Sequence, residues 1–504
     1  MSDRNGPARL LTGIQGFDAI ARGGLPERRT TLVSGTAGSA KTVFAAQFLA
    51  AGVLAGQPGV FVTFEESPSD IRANVAPFGW DVAAWEGERR WAFVDASPHL
   101  TEATAVSGEY DLGALLARIE HAVRSVNATR VSIDSISAIF TRLPDPTIIR
   151  TELFRIAGAL RQMGVTAVMT AERTAEYGEI ARYGVEEFVA DNVVILRNVL
   201  EDEKRRRTME ILKFRGLEHQ KGEVAFTIIP GEGIVALPLS SLELKQQSSN
   251  LRVSSGNADL DEMCRGGFFR DSIILVSGAT GTGKTLTVTQ FIAGAAAGER
   301  ALLFAFEESR DQLVRNATGW GVDFEAMLDA GTLRLECIYP ETAGLEEHLH
   351  RMRAVIREFK PSRVAVDSLS ALERVSSVKG FREFVLSLTS FMKHEEVVGL
   401  FTSTTPTLLG GESVTERHIS TITDSIILLR YVELYGEMRR GLTVLKMRGS
   451  MHDKNIREFT IDDKGMHIGR PFRDVSGILS GRPTHVDAAE VERLGVLFRE
   501  DTPT

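Results

Sequence analysis

The chain has 504 residues, 43% hydrophobic and 25% charged, and carries a net charge of −9, so it is too long for one core and too ordinary in composition for a disordered or fibrous protein. The acidic balance opposes a protein held to nucleic acid by a broadly basic surface. No apolar run approaches membrane-spanning length, no early segment reads as a secretory leader, and two isolated cysteines, Cys264 and Cys337, are too few for a disulfide framework or a zinc site, which together suggest a reducing, cytoplasmic setting.

In chain order, the first organised stretch runs from Leu11 to Gly24 and leads through the apolar Thr31-Leu-Val into Gly35, Thr36, Ala37, Gly38, Ser39, Ala40, Lys41 and Thr42. This is the phosphate-binding pattern G-x-x-x-x-G-K-[ST] except at Ala40, where the pattern asks for glycine. If that position needs a positive φ, the Cβ costs about 1 kcal/mol and nucleotide affinity suffers. Short β-rich runs follow at Val60–Phe64, Val131–Ile133, Val165–Val168 and Val193–Leu196, with helical stretches between them. Near-continuous apolar strands separated by helices indicate a parallel sheet covered on both faces.

After the polar segment that closes at Asn250 the same order begins again. Val253 to Gly267 leads into Ile274-Leu-Val and then Gly278, Ala279, Thr280, Gly281, Thr282, Gly283, Lys284 and Thr285, which satisfy the phosphate-loop pattern in full. Lys41 to Lys284 is 243 residues and Glu65 to Glu307 is 242, while Asp134 to Asp367, Asp191 to Asp424, Lys213 to Lys446 and Arg215 to Arg448 are each 233. The chain is a tandem duplication with a domain-sized period. Residues 1–238 and 251–486 are expected to be two α/β phosphate-binding domains, 239–250 a linker, and 487–504 a tail with a modest helix.

Four sets of residues carry candidate chemistry. Backbone amides of both glycine-rich loops turn toward a polyphosphate, with Lys41 or Lys284 reaching the outer phosphates and Thr42 or Thr285 holding Mg²⁺. Glu65-Glu66 and Glu307-Glu308 end the second strand of each repeat, where a carboxylate can take a proton from water or a hydroxyl; the first of each pair is the candidate base, and helix-starting acids are the alternative. Asp134 and Asp367 end apolar strands in the Walker-B manner, as metal ligands or as helix caps. Lys213-x-Arg215 and Lys446-x-Arg448 lie on alternating strands with Leu212, Phe214, Leu445 and Met447 facing inward, so their cations face out, either to solvent or toward a phosphate on a neighbouring subunit. The run Lys204–Arg207, preceded by Glu201-Asp202-Glu203, reads as a solvated hairpin tip. Opposite Glu187-Phe188 of the first repeat, the second places the hydroxyls of Ser420-Thr421, ordinary strand-entry residues when taken alone.

The paired phosphate loops, the Glu-Glu pairs, the Lys-x-Arg-Gly strands and above all Thr415-Glu-Arg-His-Ile-Ser420-Thr421-Ile-Thr-Asp424 with Lys446–Lys454 resemble the KaiC circadian clock family within the RecA-like ATPases, over roughly residues 8–486. The resemblance implies a two-tier homo-hexamer with ATP and Mg²⁺ between subunits. It implies slow hydrolysis in the first domain, and transfer of the γ-phosphoryl group to Ser420 or Thr421 of the adjoining subunit in the second, reversible onto ADP. Thr415 matches a further phosphosite and Arg374 an arginine near the phosphosites. A KaiB-like clock protein is an implied partner. The family's activating partner binds the tail, which matches less well here beyond Thr484. A RecA-like DNA-dependent ATPase, working in strand exchange or as a helicase, is the alternative; it predicts salt-sensitive single-strand binding. A nucleotide-gated scaffold is a third reading.

Overall fold

The computed structural model describes residues 8–97, 112–140, 145–181, 189–201, 204–238, 249–405, 421–472, 475–478 and 484–485. The expected phosphosites Thr415 and Ser420, residues 239–248 of the linker and the tail 487–504 lie outside the described residues. Contacts divide the chain into two units, Met1–Ser241 and Leu242–Thr504.

In the first unit nine strands form one sheet: β1 (Thr30–Gly35), β2 (Gly59–Thr63), β3 (Trp91–Asp95), β4 (Arg130–Asp134), β5 (Thr166–Glu172), β6 (Asn192–Glu201), β7 (Lys204–Phe214), β8 (Val224–Ile229) and β9 (Gly233–Ala236), in the order β9-β8-β7-β6-β1-β5-β4-β2-β3. From β6 to β3 the pairings are parallel, and β7 to β9 continue as antiparallel hairpins. Alternation along each strand feeds two cores. Leu32, Val60, Val62, Val131 and Ile133 pack on one face with helices α3 (Leu112–Val126) and α4 (Pro146–Gln162). Val33 and Phe61 pack on the other with α1 (Lys41–Leu54). Each such fully buried side chain contributes about 2 kcal/mol.

The second unit repeats this with β10 (Ile273–Gly278), β11 (Ala301–Ala305), β12 (Leu333–Cys337), β13 (Arg363–Asp367), β14 (Val398–Thr404), β15 (Ser425–Leu434), β16 (Glu437–Met447), β17 (Arg457–Asp462) and β18 (Gly465–Pro471), in the order β12-β11-β13-β14-β10-β15-β16-β17-β18. Each unit is thus a mostly parallel sheet flanked by helices, as the sequence predicted.

The alternation expected on the Lys-x-Arg strands is interrupted. Lys213 pairs with Val193 but Ile211 with Val194, which leaves Leu212 as the extra residue of a β-bulge; Lys446 and Val444 flank Leu445 in the same way. A bulge residue leaves the pleat, so Leu212 and Leu445 are 42% and 44% exposed rather than facing inward. Phe214 and Met447 are buried as expected.

One buried cation ties the first unit's central elements together. Arg130, at the start of β4, donates to Leu11 O at 2.9 Å, Phe48 O at 2.8 Å and Gln57 Oε1 at 2.7 Å, with its guanidinium 4.8 Å from the Phe48 ring centre. Burial pushes its pKa down to about 10, so it stays charged at neutral pH. Arg363 repeats the arrangement, donating to Phe291 O at 2.6 Å and Ser254 O at 3.2 Å. Arg130→Met strands buried carbonyls without a donor and should cost about 3 kcal/mol. Urea unfolding followed by tryptophan fluorescence in a Trp320→Phe background checks this, because the remaining tryptophans, Trp80, Trp85 and Trp91, all lie in the first unit; in that background Arg363→Met should leave the signal unchanged.

Candidate nucleotide-binding sites

Parallel order brings the carboxyl ends of β1, β2, β4 and β5 to one edge, where ligands bind in open α/β sheets. Register places Gly35 beside Glu172 and Thr63 beside Asp134. The phosphate loop leaves β1 at Gly35, and α1 starts at Lys41. Lys41 Nζ donates to Gly35 O at 3.0 Å and Thr36 O at 2.9 Å, and Thr42 Oγ1 donates to Asp134 Oδ2 at 2.6 Å. Thr170 on β5 donates to the other oxygen of Asp134. In the second unit Lys284 Nζ donates to Gly278 O and Ala279 O at 2.9 Å, Thr285 Oγ1 to Asp367 Oδ2 at 2.8 Å, and Thr402 Oγ1 to Asp367 Oδ1 at 2.5 Å. The peptide after each aspartate, Asp134–Ser135 and Asp367–Ser368, is cis.

A hydroxyl and a carboxylate in contact are hard oxygen donors that suit Mg²⁺, which takes one or two protein oxygens and completes its shell with phosphate and water. Among the described residues no group of three or more His, Cys, Asp or Glu forms an all-protein metal cage, and a nucleotide-borne Mg²⁺ needs none. Burial lowers the pKa of both lysines, and the neighbouring carboxylates oppose the shift.

The loops differ at one backbone position. Ala40 has φ 75° and Gly283 φ 103°, so both lie in the left-handed region. A Cβ on Gly283 would stand 3.1 Å from Ile461 Cδ1, whereas Ala40 keeps its methyl and bears the conformational cost.

The glutamate pairs divide by partner. Ser67 and Ser309 cap the helices α2 (Pro68–Val75) and α5 (Arg310–Gly319) through capping boxes with Asp70 and Gln312. The glutamates therefore precede the helices instead of filling their first turns. Glu66 accepts from Asn74 Nδ2 at 2.8 Å, and Glu308 lies 3.5 Å from Asn316 Nδ2. Glu65 is held by desolvation first, and then by Glu172 and Asp134, above the usual carboxylate range; Lys41 opposes this. Glu308 is raised likewise by burial and Asp367. Glu307 instead meets Arg374 Nη2 at 2.5 Å and Ser368 Oγ at 3.4 Å.

Lys213, Arg215, Lys446 and Arg448 do not join the loops of their own units. Lys213 Nζ donates to Ala190 O at 3.0 Å, and Arg215 pairs with Asp191 at 3.5 Å. Lys446 Nζ donates to Thr423 O at 2.7 Å, and Arg448 Nη2 to Thr421 O at 2.7 Å. These contacts sit where β6 and β15 begin, the edge opposite the phosphate loops, because Ile274 pairs with Ser425 while Gly278 pairs with Leu429. Four steps of strand separate these pairs, about 13 Å.

Sequence patterns missed Thr170, Thr402, Glu172 and Glu176, which act only through strand register and loop folding. They also assigned Arg207 to a solvated tip, whereas its Nε donates to Gly38 O at 3.3 Å.

A family model described as the KaiC ATPase matches residues 10–241 and again 253–472. The chain is 66% identical over 499 residues to the circadian clock protein KaiC3 of Synechocystis, covering 99% of each chain. It is 56% identical to the circadian clock oscillator protein KaiC of Thermostichus vulcanus, covering 96% of this chain and 94% of that one. With the protein of the same name from Synechococcus elongatus the identity is 55%, covering 99% and 96%.

Two outcomes follow from this geometry. Gly283→Ala should destabilise the second unit by about 1–2 kcal/mol, and Ala40→Gly should stabilise the first by about 0.5 kcal/mol, the glycine's greater freedom when unfolded offsetting part of the gain; thermal unfolding reads both. If Glu65 is the base, it must be ionised to act, and hydrolysis in the first unit should be lost as pH falls through its raised pKa. Glu172→Gln removes a neighbouring anion, so the acid limb of the pH–rate profile, measured with Lys284→Ala silencing the second loop, should move to lower pH. An unmoved limb would count against Glu65 as the titrating base.

Proposed function

The chain belongs to the KaiC family of ATPases, and on that footing we propose a clock-type enzyme whose first unit hydrolyses ATP and whose second phosphorylates and dephosphorylates its own chain. The observation that carries the reading is positional. Thr421 is exposed, and its main-chain carbonyl accepts from Arg448 at the edge of its sheet opposite its own phosphate loop. Phosphoryl transfer needs reacting atoms within about 3–3.5 Å, so the phosphate source for this hydroxyl is the loop of another copy. That supports a homo-hexameric ring with ATP between subunits.

In this reading the amides of residues 35–42 and 278–285 cradle the phosphates, Lys41 and Lys284 reach the outer ones, and Thr42 with Asp134, or Thr285 with Asp367, hold Mg²⁺. Bound ATP·Mg²⁺ supplies the phosphoryl group and neutralises charge on it. In the first unit Glu65, with Glu66 behind it, orients water and takes its proton. In the second, Glu307 takes the proton of Ser420 or Thr421 of the adjoining copy as the hydroxyl oxygen bonds to the γ-phosphorus and the bond to ADP breaks; Glu308 is its neighbour. Lys213, Arg215, Lys446 and Arg448 approach the phosphates from the next subunit, and Arg374 holds Glu307 until the hydroxyl arrives. Return of the phosphoryl group to ADP, followed by hydrolysis, completes the cycle. Thr415 is a further acceptor. A phosphate brings nearly two negative charges beside Arg448, enough to alter packing at that contact. A KaiB-like clock protein is the proposed partner responding to it. No observation favours the DNA-dependent motor, and among the described residues no helix is long and apolar enough to cross a membrane.

The test mixes two chains under ATP and Mg²⁺. One carries Lys284→Ala with its hydroxyls intact; the other keeps its loops but carries Ser420→Ala and Thr421→Ala. Phosphopeptide mass spectrometry should find phosphate at Ser420 or Thr421 of the loop-deficient chain. Its absence there, with wild type phosphorylating normally, rejects transfer between copies.

A further inference from the structure

The segment Arg173–Ala181 leaves the end of β5 and folds back over the first phosphate loop. It is anchored along its length. Arg173 Nε donates to Glu179 O at 3.0 Å and its Nη2 to Gly178 O at 3.3 Å, the Ser34 hydroxyl donates to Ile180 O, Arg197 lies 5.4 Å from the Tyr177 ring centre, and Ala181 is buried. At the crest of this anchored turn, Glu176 accepts from Thr36 Oγ1 at 2.6 Å with one carboxylate oxygen and from the Asn198 N–H at 3.0 Å with the other. One anion therefore joins the second residue of the phosphate loop to β6.

We propose that Glu176 is a latch displaced by nucleotide: a carboxylate that competes with the phosphates of ATP for the first loop and sets its affinity. This rests on the reading of that loop as an ATP site and adds the residue that regulates it. A triphosphate brought to residues 35–42 places like charge within a few ångströms of Glu176, where repulsion is strong and water screens it poorly. Among the described residues the carboxylate is held by two hydrogen bonds and no cation, and water can replace both donors when it leaves. Lys41 already lies in the field of Glu176 together with Asp134, Glu172 and Glu65, so phosphate arriving at that ammonium meets a site whose charge is partly answered.

The second unit is built without the latch. Ala279 stands where Thr36 does and has no hydroxyl to donate, and after Thr404 no acidic residue occurs before Glu412; only the backbone N–H remains, at Tyr431 in the place of Asn198. The hydroxyl donor and the carboxylate are missing together, while the bonds of the loop lysine and threonine are shared. The latch therefore distinguishes the first site from the second by affinity, independently of the Ala40 substitution.

The full chain carrying Lys284→Ala leaves the first loop to be titrated with a fluorescent, non-hydrolysable ATP analogue and Mg²⁺. Glu176→Gln should tighten binding about five-fold, and the gain should shrink as salt rises from about 0.05 to 0.5 M, as expected for a charge effect. In the chain with Glu176 intact, hydrogen exchange at the Asn198 amide should accelerate when the analogue binds. Unchanged or weaker binding by Glu176→Gln, or an Asn198 amide that stays protected with the analogue bound, overturns the latch while leaving the ATP site standing. Failure of the Lys284→Ala chain to bind the analogue at all would instead overturn the ATP reading of the first loop, and the latch with it.

Discussion

The hydrogen bond from Thr42 to Asp134, repeated from Thr285 to Asp367, joins residues 92 and 82 positions apart. It fixes the first turn of the phosphate-loop helix against the end of a strand two places away in the sheet. Thr170 and Thr402 hold the far oxygen of each aspartate, so neither carboxylate can rotate freely. The glutamate pairs, the ends of β5 and β14 and the loop lysines all take their positions relative to this bond. Breaking it would separate the phosphate loop from the strand-end carboxylate.

The two units share this frame and differ at its rim. Around Lys41 stand Asp134, Glu172, Glu65 and Glu176; around Lys284 the carboxylates that act on it are Asp367 and Glu307, with Thr404 in the place of Glu172. In the first unit the proposed base sits among anions and is held toward protonation. In the second it is joined to Arg374. One environment suits a slow water reaction, the other a reaction that waits for a hydroxyl to be delivered from elsewhere. Such divergence needs no change in the sheet, because side chains at strand ends can change without disturbing the buried alternation beneath them.

The fold was legible because its signals are local and repeated. Apolar strand runs, two glycine-rich loops and constant offsets between paired residues suffice to define two α/β units. The loop lysines and threonines and the strand-end aspartates were legible for the same reason, since each belongs to a compact motif. What the sequence hid depends on distance along the chain. Thr170 meets Asp134 only through the β4–β5 register, and Glu176 reaches Thr36 only because Arg173 shapes the turn between them. The inward orientation expected of Leu212 and Leu445 failed for another reason: a bulge adds a residue without marking it in the hydrophobic pattern. Arg207 stood in a charge run that composition assigns to solvent, although the hairpin carries it to Gly38.

Those bulges also date events in the history of the chain. Leu212 and Leu445 occupy equivalent places, each the unpaired residue beside a Lys-x-Arg. A single insertion in the ancestral unit, made before the gene for it doubled, accounts for both; two separate insertions at one position would otherwise be required. The backbone kink beside each Lys-x-Arg is thus older than the pairing of two units in one chain. Thr36 opposite Ala279, Ala40 opposite Gly283 and Glu176 opposite Leu408 record what happened afterwards. The scaffold was inherited twice, and the descendants then specialised through a handful of side chains at one end of each sheet.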